Sequence, residues 1–137
     1  MVAIYATREV SAPVDRVWDI VADVDNESSY WHGTKQVKNI LKTGNVIERE
    51  VIIAFKDSRC RQTVVLDPKK SIEIKITEGP MRGTKTLTLN PLGERTRIDV
   101  TWDFRLTGIL GMFTGMVKKH VAEGTEEALE RIANAVE

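Results

Sequence analysis

The sequence has little cysteine, no net charge and no long apolar run. Its single cysteine, Cys60, excludes an internal disulfide and fits a reducing compartment. Lysine plus arginine and aspartate plus glutamate number 20 each, so the net charge is zero, which disfavours a strongly basic nucleic-acid-binding protein. No stretch approaches the roughly 18 apolar residues of a membrane span, and the first residues lack the features of a signal peptide. We therefore expect a cytoplasmic protein with no nucleic-acid partner.

Sequence motifs for common chemistries are also missing. The chain contains no P-loop, dinucleotide-binding fingerprint, zinc-ligand spacing or nucleophile elbow. Its two histidines, His32 and His120, do not form a metal-ligand cluster with Cys60, so we expect neither a metal nor a cofactor. Cys60 and His120 are conceivable as a nucleophile and its base, although an inert core cysteine is the favoured interpretation.

What the sequence does contain is a series of strand-like segments between helical ones. The segment VAIYATREV alternates in polarity and is rich in β-branched residues, which predicts a first strand. In SAPVDRVWDIVADVDN, one helical face carries Val14, Val17, Trp18 and Val21, and DNESSYWHG predicts a short helix or connector. Six further strand segments, separated by turn signals, extend to about residue 107. A long, glycine-bearing helix follows them.

The connections between these segments predict the fold class. They are short, which indicates antiparallel neighbours, because parallel strands need long crossovers. The sheet must bury one face, and only one long amphipathic helix is available to cover it. We predict an α+β fold in which a curved antiparallel sheet of about seven strands wraps around the C-terminal helix, with short helices between the first two strands. Residues 1–137 are expected to form a single domain.

Alternation along the strands predicts which side chains point inward. The apolar rows of five strands contain three polar residues of the same parity, namely Arg49, Gln62 and Lys85. Arg49 and Gln62 lie in the middle of their strands, where lining a cavity and a bulge that turns them outward remain alternatives. Lys85 lies close to the predicted start of its strand, so we expect its long side chain to reach solvent.

The C-terminal helix adds further candidates for an inward face. Phe113, Met116, Val117, His120 and Val121 recur at spacings of three and four, which predicts one apolar stripe that includes His120. A histidine in such a stripe is either a satisfied structural residue or a functional one. Glycines interrupt the start of this helix. Gly108 and Gly111 are expected to mark the strand-to-helix connection, and Gly115 either allows a strand or ligand to approach closely or reflects helix packing.

The segment SAPVDRVWDIVADVDNESSYWHG and the terminal EEALERIANAVE carry a family resemblance. They resemble the START-like (SRPBCC) superfamily, which includes polyketide cyclase/dehydrase and coenzyme Q-binding proteins. The resemblance spans essentially the whole chain. The matching positions are Ala12, Pro13, Val17, Trp18, Val21, Asp23, Tyr30 and Trp31. It implies a helix-grip fold with a cavity between the sheet and the C-terminal helix, in which members bind lipids, quinones, sterols or polyketides.

Three functions are therefore compatible with the sequence. The favoured one is binding or transport of a small hydrophobic or amphipathic molecule, with transient membrane contact as a further expectation for the partners. The second is a cyclase-type enzyme in which His120 acts as base and Arg49 stabilises an enolate. The third is a module that contacts proteins or ribosomes. The predicted ligand-contacting residues are Arg49, Val51, Ile53, Phe55, Gln62, Val64, Ile74, Leu87, Trp102, Phe104, Phe113, Met116 and His120.

Overall fold

The computed structural model describes residues 1–137 and contains seven strands and two α-helices. The strands are Val2–Val10 (β1), Thr34–Thr43 (β2), Val46–Ile53 (β3), Arg59–Asp67 (β4), Ser71–Glu78 (β5), Met81–Leu92 (β6) and Arg95–Leu106 (β7). The α-helices are Val14–Val21 (α1) and Thr114–Val136 (α2), and three 3-10 turns span Val24–Ser29, Phe55–Asp57 and Gly108–Phe113. No helix is both long and apolar enough to cross a membrane.

All seven strands form one antiparallel sheet in the order β1-β7-β6-β5-β4-β3-β2. From β2 to β7, each strand pairs with its neighbour in the chain, and short turns such as the one at Gly44 join them. β1 pairs with β7, so α1 and the first 3-10 turn must carry the chain across to β2 at the opposite edge. This arrangement confirms the predicted α+β helix-grip fold with short helices between the first two strands.

Alternation along β7 shows how the sheet divides into an inner and an outer face. Ile98, Val100 and Phe104 have no exposed surface, whereas Thr101 and Asp103, which alternate with them, are exposed. Burial of such apolar side chains stabilises the fold by about 1.5–3 kcal/mol each. The inner face therefore follows the pattern that the sequence predicted.

The second helix packs on the inner face through its C-terminal half. Ala128, Leu129, Ile132, Ala133 and Val136 are buried there with residues of β1, β6, β7 and α1. The Arg131 guanidinium donates to the backbone oxygen of Tyr30 at 3.0 Å. This bond ties α2 to the connector between α1 and β2.

The N-terminal half of α2 differs from the predicted stripe. Val117 and Val121 pack against the cluster around Phe104, but His120 and Met116 are exposed. Each of these two residues precedes a partly buried valine by one position, which places it about 100° around the helix from that valine. The predicted inward orientation of His120 and Met116 is therefore wrong.

Phe113 is exposed for a different reason: the α-helix begins only after it. The prediction treated Phe113 as part of the helix, whereas α2 begins at Thr114 and Phe113 ends a 3-10 turn. The turn has lost the α-helical register, and the Phe113 side chain is 46% exposed. Gly108 adopts a φ of +62° at the start of this turn, which suits glycine. A Cβ at Gly115 would meet nothing within 4 Å, so this glycine permits no close approach.

Two strand boundaries differ from those that the sequence pattern predicts, which are an end of β3 at Phe55 and a start of β6 at Thr84. β3 ends at Ile53, because Lys56 and Asp57 adopt positive φ angles in the following 3-10 turn, and Phe55 leaves the sheet with 41% of its surface exposed. β6 begins at Met81, so Lys85 is its fifth residue and lies well inside the sheet. The expectation that Lys85 reaches solvent is therefore wrong.

Candidate functional site

A buried network of polar side chains lies on the inner face of β3 and β4. Arg49 has no exposed surface, and its neighbour across the two strands is Gln62. The Arg49 Nε and Nη2 atoms donate to Gln62 Oε1 at 3.0 and 2.8 Å. Nη2 also forms a very short ion pair with the carboxylate of Glu27, which is 8% exposed. The charge on Arg49 is thus fully paired inside the protein, as a buried charge requires.

The same network fixes the first 3-10 turn over the sheet. Arg49 Nη1 donates to the backbone oxygen of Val24 at 3.2 Å, and the second carboxylate oxygen of Glu27 accepts from Thr34 Oγ1 at 2.9 Å. Glu27 is placed by the backbone as well, since its carbonyl accepts from the amides of Tyr30 and Trp31. The turn Val24–Ser29 is therefore held by side chains of β2 and β3, which bond to Val24 and Glu27, and by the backbone amides that follow it.

Lys85 lies next to this network with its ammonium against two tryptophan rings. Its Nζ atom is 3.0 Å from the ring centroid of Trp31 and 5.0 Å from that of Trp102, and the residue is 6% exposed. Trp102 is the partner of Lys85 across β6 and β7. The Trp102 Nε1 atom donates to Thr125 Oγ1 on α2 at 2.9 Å, which fixes the ring. The side chain of Lys85 makes no hydrogen bond to the protein.

Burial lowers the pKa of Lys85 from 10.5 to about 7. The neighbouring Glu27 carboxylate raises this pKa, and the Arg49 guanidinium lowers it, both by smaller amounts than burial. The faces of the two indole rings attract the ammonium, which also favours the charged form. Lys85 consequently loses its proton near neutral pH, where an ordinary lysine stays charged.

The low pKa of Lys85 predicts how stability depends on pH. Between about pH 7 and 10.5 the unfolded chain holds the lysine proton and the folded chain has lost it, so the free energy of unfolding should rise with pH. The slope is at most about 1.4 kcal/mol per pH unit. Lys85→Met should remove this slope, while Lys75→Met, a change at an exposed lysine of β5, should retain it. Urea unfolding followed by circular dichroism between about pH 7 and 8.5 measures the difference.

A small cavity of about 30 Å³ opens beside Lys85. Its walls come from the end of α1 and the connector on one side and from β5 and β6 on the other. The lining residues are Val21, Val24, Glu27, Trp31, Ile72, Ile74, Lys85 and Leu87. The volume suffices for about one or two water molecules. A larger molecule fits only if the connector moves away from the sheet.

The structure places the thirteen predicted contact residues in several environments. Arg49 and Gln62 belong to the buried network, Ile74 and Leu87 line the cavity, and Trp102 lies beside Lys85. Val51 and Val64 are buried in the apolar cluster formed mainly by β3, β4 and β5, and Ile53 is half-buried at the edge of that cluster. Phe104 is buried in a separate cluster with Val2 and Ile4. The exposed ones are Phe55, Phe113, Met116 and His120. No residue of α2 lines the cavity.

Six of the eight cavity residues were not among the predicted contacts: the apolar Val21, Val24 and Ile72, and the polar or aromatic Glu27, Trp31 and Lys85. Glu27 was hidden in a connector without a regular period, although a buried Arg49 requires an acid partner. Trp31 was singled out as a position of the family resemblance, and its ring lies directly against the Lys85 ammonium. Lys85 has the same parity along its strand as Leu87 and Leu89, and this parity correctly indicated that its side chain points inward.

The nucleophile alternative receives no geometric support. Burial raises the pKa of the Cys60 thiol, which disfavours the thiolate that a nucleophile needs. Cys60 is buried in the apolar cluster of β3, β4 and β5, whereas His120 is exposed on α2. No three side chains of histidine, cysteine, aspartate or glutamate lie close enough to hold a metal ion.

Comparison with solved structures shows the same fold in several proteins. The structure of TTHA0849 from Thermus thermophilus is 21% identical, with a TM-score of 0.83 over 98% of this chain and 96% of that one. A START superfamily protein from Mycobacterium smegmatis is 18% identical, with a TM-score of 0.80 over 99% and 97% of the two chains. The Zhui aromatase/cyclase from a Streptomyces species is 21% identical, with a TM-score of 0.73 over 98% and 90%.

Comparison of the sequence alone gives the family. No curated protein matches it at a significant level. The family model described as polyketide cyclase/dehydrase and lipid transport matches residues 1–137, the whole chain. The match agrees with the START-like resemblance of the sequence and with the fold. The chain therefore belongs to the polyketide cyclase/dehydrase and lipid transport family.

Proposed function

We propose that the protein binds a small amphipathic molecule at Lys85. The polar group of the ligand contacts the Lys85 amine, and its apolar part lies between the connector Val24–Trp31 and the sheet. The observation that carries this proposal is the Lys85 Nζ atom. It lies inside the protein against Trp31 and Trp102 and has no hydrogen-bond acceptor of its own. No fully enclosed side-chain nitrogen or oxygen lacks a partner, so the Nζ atom keeps some access to the space beside it. A ligand that enters there can supply the acceptor that the protein does not.

The surroundings of Lys85 favour a ligand with an apolar body. Six of the eight cavity residues are hydrophobic, and Glu27 is already engaged by Arg49 and Thr34. Sites for small molecules typically combine such an apolar lining with few polar groups. Because the cavity is small, uptake must displace the connector Val24–Trp31 from β5 and β6. A hydrogen-bond-accepting group such as a carboxylate, phenolate or carbonyl is the polar group expected at Lys85.

The cyclase alternative in its original form lacks support from the geometry. It required His120 and Arg49 to act on one substrate, but His120 is exposed on α2, and Arg49 is buried with each guanidinium nitrogen hydrogen-bonded to the protein. A general base must lie within hydrogen-bonding reach of the substrate proton. The binding function therefore remains the better supported of the two.

An anionic fluorescent probe tests the binding function. Titration with anilinonaphthalene sulfonate should give energy transfer from tryptophan, because Trp31 and Trp102 border the site. Lys85→Met should weaken this binding by tenfold or more, since about 1.4 kcal/mol corresponds to tenfold and a charged hydrogen bond contributes at least that much. Lys75→Met, at an exposed position, is the matched control and should bind as the unchanged protein does. Equal affinity of Lys85→Met and the unchanged protein would contradict the proposal.

A further inference from the structure

We infer that Lys85 captures carbonyl compounds covalently: its amine nitrogen adds to an aldehyde or ketone carbon and forms an imine with loss of water. This inference rests on the proposed ligand site and specifies its ligand class. The class is an aldehyde or ketone that carries an apolar body, because the walls around the amine are largely hydrophobic.

The first argument is that the Lys85 amine is free to react. A lysine in an ion pair presents its nitrogen to a carboxylate, but Lys85 forms no ion pair. Both oxygens of Glu27, the carboxylate whose charge acts on Lys85, are hydrogen-bonded to Arg49 and Thr34. The Lys85 Nζ atom instead faces the rings of Trp31 and Trp102, which accept no conventional hydrogen bond. A neutral amine here keeps its lone pair available to a carbonyl carbon.

The second argument is that the neutral amine is well populated. The pKa of Lys85 is lowered to about 7, so near pH 7 about half of the molecules carry the neutral form. An exposed lysine with the ordinary value of 10.5 carries it roughly a thousandfold less often. Buried lysines with lowered pKa values are the ones that form Schiff bases in proteins.

The proposed step balances without any further reactant. The amine lone pair forms the N–C bond while the carbonyl π electrons move to oxygen, and one amine proton transfers to that oxygen to give a carbinolamine. The hydroxyl then leaves with the second amine hydrogen as water, and the nitrogen lone pair forms the C=N bond. The imine nitrogen is the basic group of the product, and its protonated form keeps a positive charge. The faces of Trp31 and Trp102 would stabilise that charge as they do the ammonium.

Reductive trapping with octanal tests the inference on the whole chain. The protein is incubated near pH 7 with octanal and sodium cyanoborohydride, which reduces an imine to a stable secondary amine, and peptide mass spectrometry locates the added octyl group. We expect Lys85 to be labelled at least tenfold more than the exposed lysines Lys75, Lys118 and Lys119. Labelling spread evenly over the exposed lysines, with none preferred at Lys85, would overturn the inference.

Two variants and a second probe separate this result from a loss of folding or of binding. Lys85→Arg keeps the positive charge but cannot form an imine, so it should lose the label, whereas Lys75→Met should keep it at Lys85. The labelling pattern of the wild-type protein tests the inference by itself, so the test remains valid even if a variant fails to fold. Octanoic acid cannot form an imine, and its displacement of anilinonaphthalene sulfonate from the wild-type protein reports binding alone. Displacement by octanoic acid and octanal without any trapped adduct would leave the proposed binding function standing and reject imine formation.

Discussion

Replacing Arg49 by methionine is expected to lower the free energy of unfolding by about 3–5 kcal/mol. The physical reason is not the lost attraction alone. Without Arg49, the Glu27 carboxylate remains buried without its partner, and Gln62 Oε1 loses both of its donors. A buried charge or acceptor that has lost its partner costs its full desolvation free energy. Urea unfolding monitored by circular dichroism measures the change.

A double variant tests whether this cost comes from the unpaired carboxylate. Glu27→Gln removes the charge, so no buried carboxylate is left without its partner when Arg49 is replaced. The combination Arg49→Met with Glu27→Gln should therefore be less destabilised than the sum of the single changes, by about 0.5–3 kcal/mol. Simple additivity of the two free-energy changes would show that the ion pair is not the source of the cost.

A surface pair provides the control for the Arg49 experiment. Arg59 lies 3.7 Å from Glu50 on the same two strands, β3 and β4, but the Arg59 side chain is 75% exposed. Exposed pairs contribute about 0–1 kcal/mol, so Arg59→Met should have little effect. A loss at Arg49 no larger than that at Arg59 would contradict the assignment of the buried network as a structural anchor. The contrast also matters for function, because Arg49 fixes the turn that forms one wall of the Lys85 cavity.

The sequence predicted the sheet well because a strand has only two faces. Along β7, the alternation from Ile98 to Phe104 leaves no second way to bury the apolar row, and the inward parity of Arg49 and Gln62 follows from the same rule. Turn residues such as Gly44 then fixed where the chain reverses. The order of elements and the fold class follow from these local signals together with the short connections.

The same reasoning failed where a strand boundary, the width of a helix face or an irregular connector determines a side chain's surroundings. Lys85 was expected to reach solvent because β6 was predicted to start only one residue before it, whereas the strand begins at Met81. His120 was assigned to an apolar stripe that is wider than the buried one, and one residue of a helix corresponds to about 100°. The partner of Arg49 was missed because Glu27 lies in an irregular connector. Which connector residue meets a strand depends on tertiary packing, and no periodic pattern encodes it.

Gly83 is the position at which a single added methyl group should be most damaging. It has a φ of +153°, and a Cβ placed there would lie 2.1 Å from the Asp103 backbone oxygen and 2.5 Å from the Phe104 Cα. Both atoms belong to the backbone of β7, which cannot rotate away as a flexible side chain can. Gly83→Ala should therefore lower the free energy of unfolding by about 3 kcal/mol or more, from backbone strain and overpacking together.

Gly115→Ala is the matched control, because it makes the same change where there is room. A Cβ at Gly115 meets nothing within 4 Å on the surface of α2, so alanine should raise the free energy of unfolding by up to about 1 kcal/mol. The two variants should thus shift stability in opposite directions in the same urea experiment. A similar small shift for both would mean that β6 and β7 are not held as closely at Gly83 as the structure indicates.

The damage at Gly83 should also reach the ligand site. Gly83 pairs with Phe104, and two residues further along β6 Lys85 pairs with Trp102. Strands that separate at Gly83 must change the contact between the Lys85 ammonium and the Trp102 ring. We therefore expect Gly83→Ala to alter tryptophan emission under conditions in which the variant is still folded, and to weaken binding of anilinonaphthalene sulfonate. Gly115→Ala should leave both unchanged, because Gly115 is not among the residues that line the cavity.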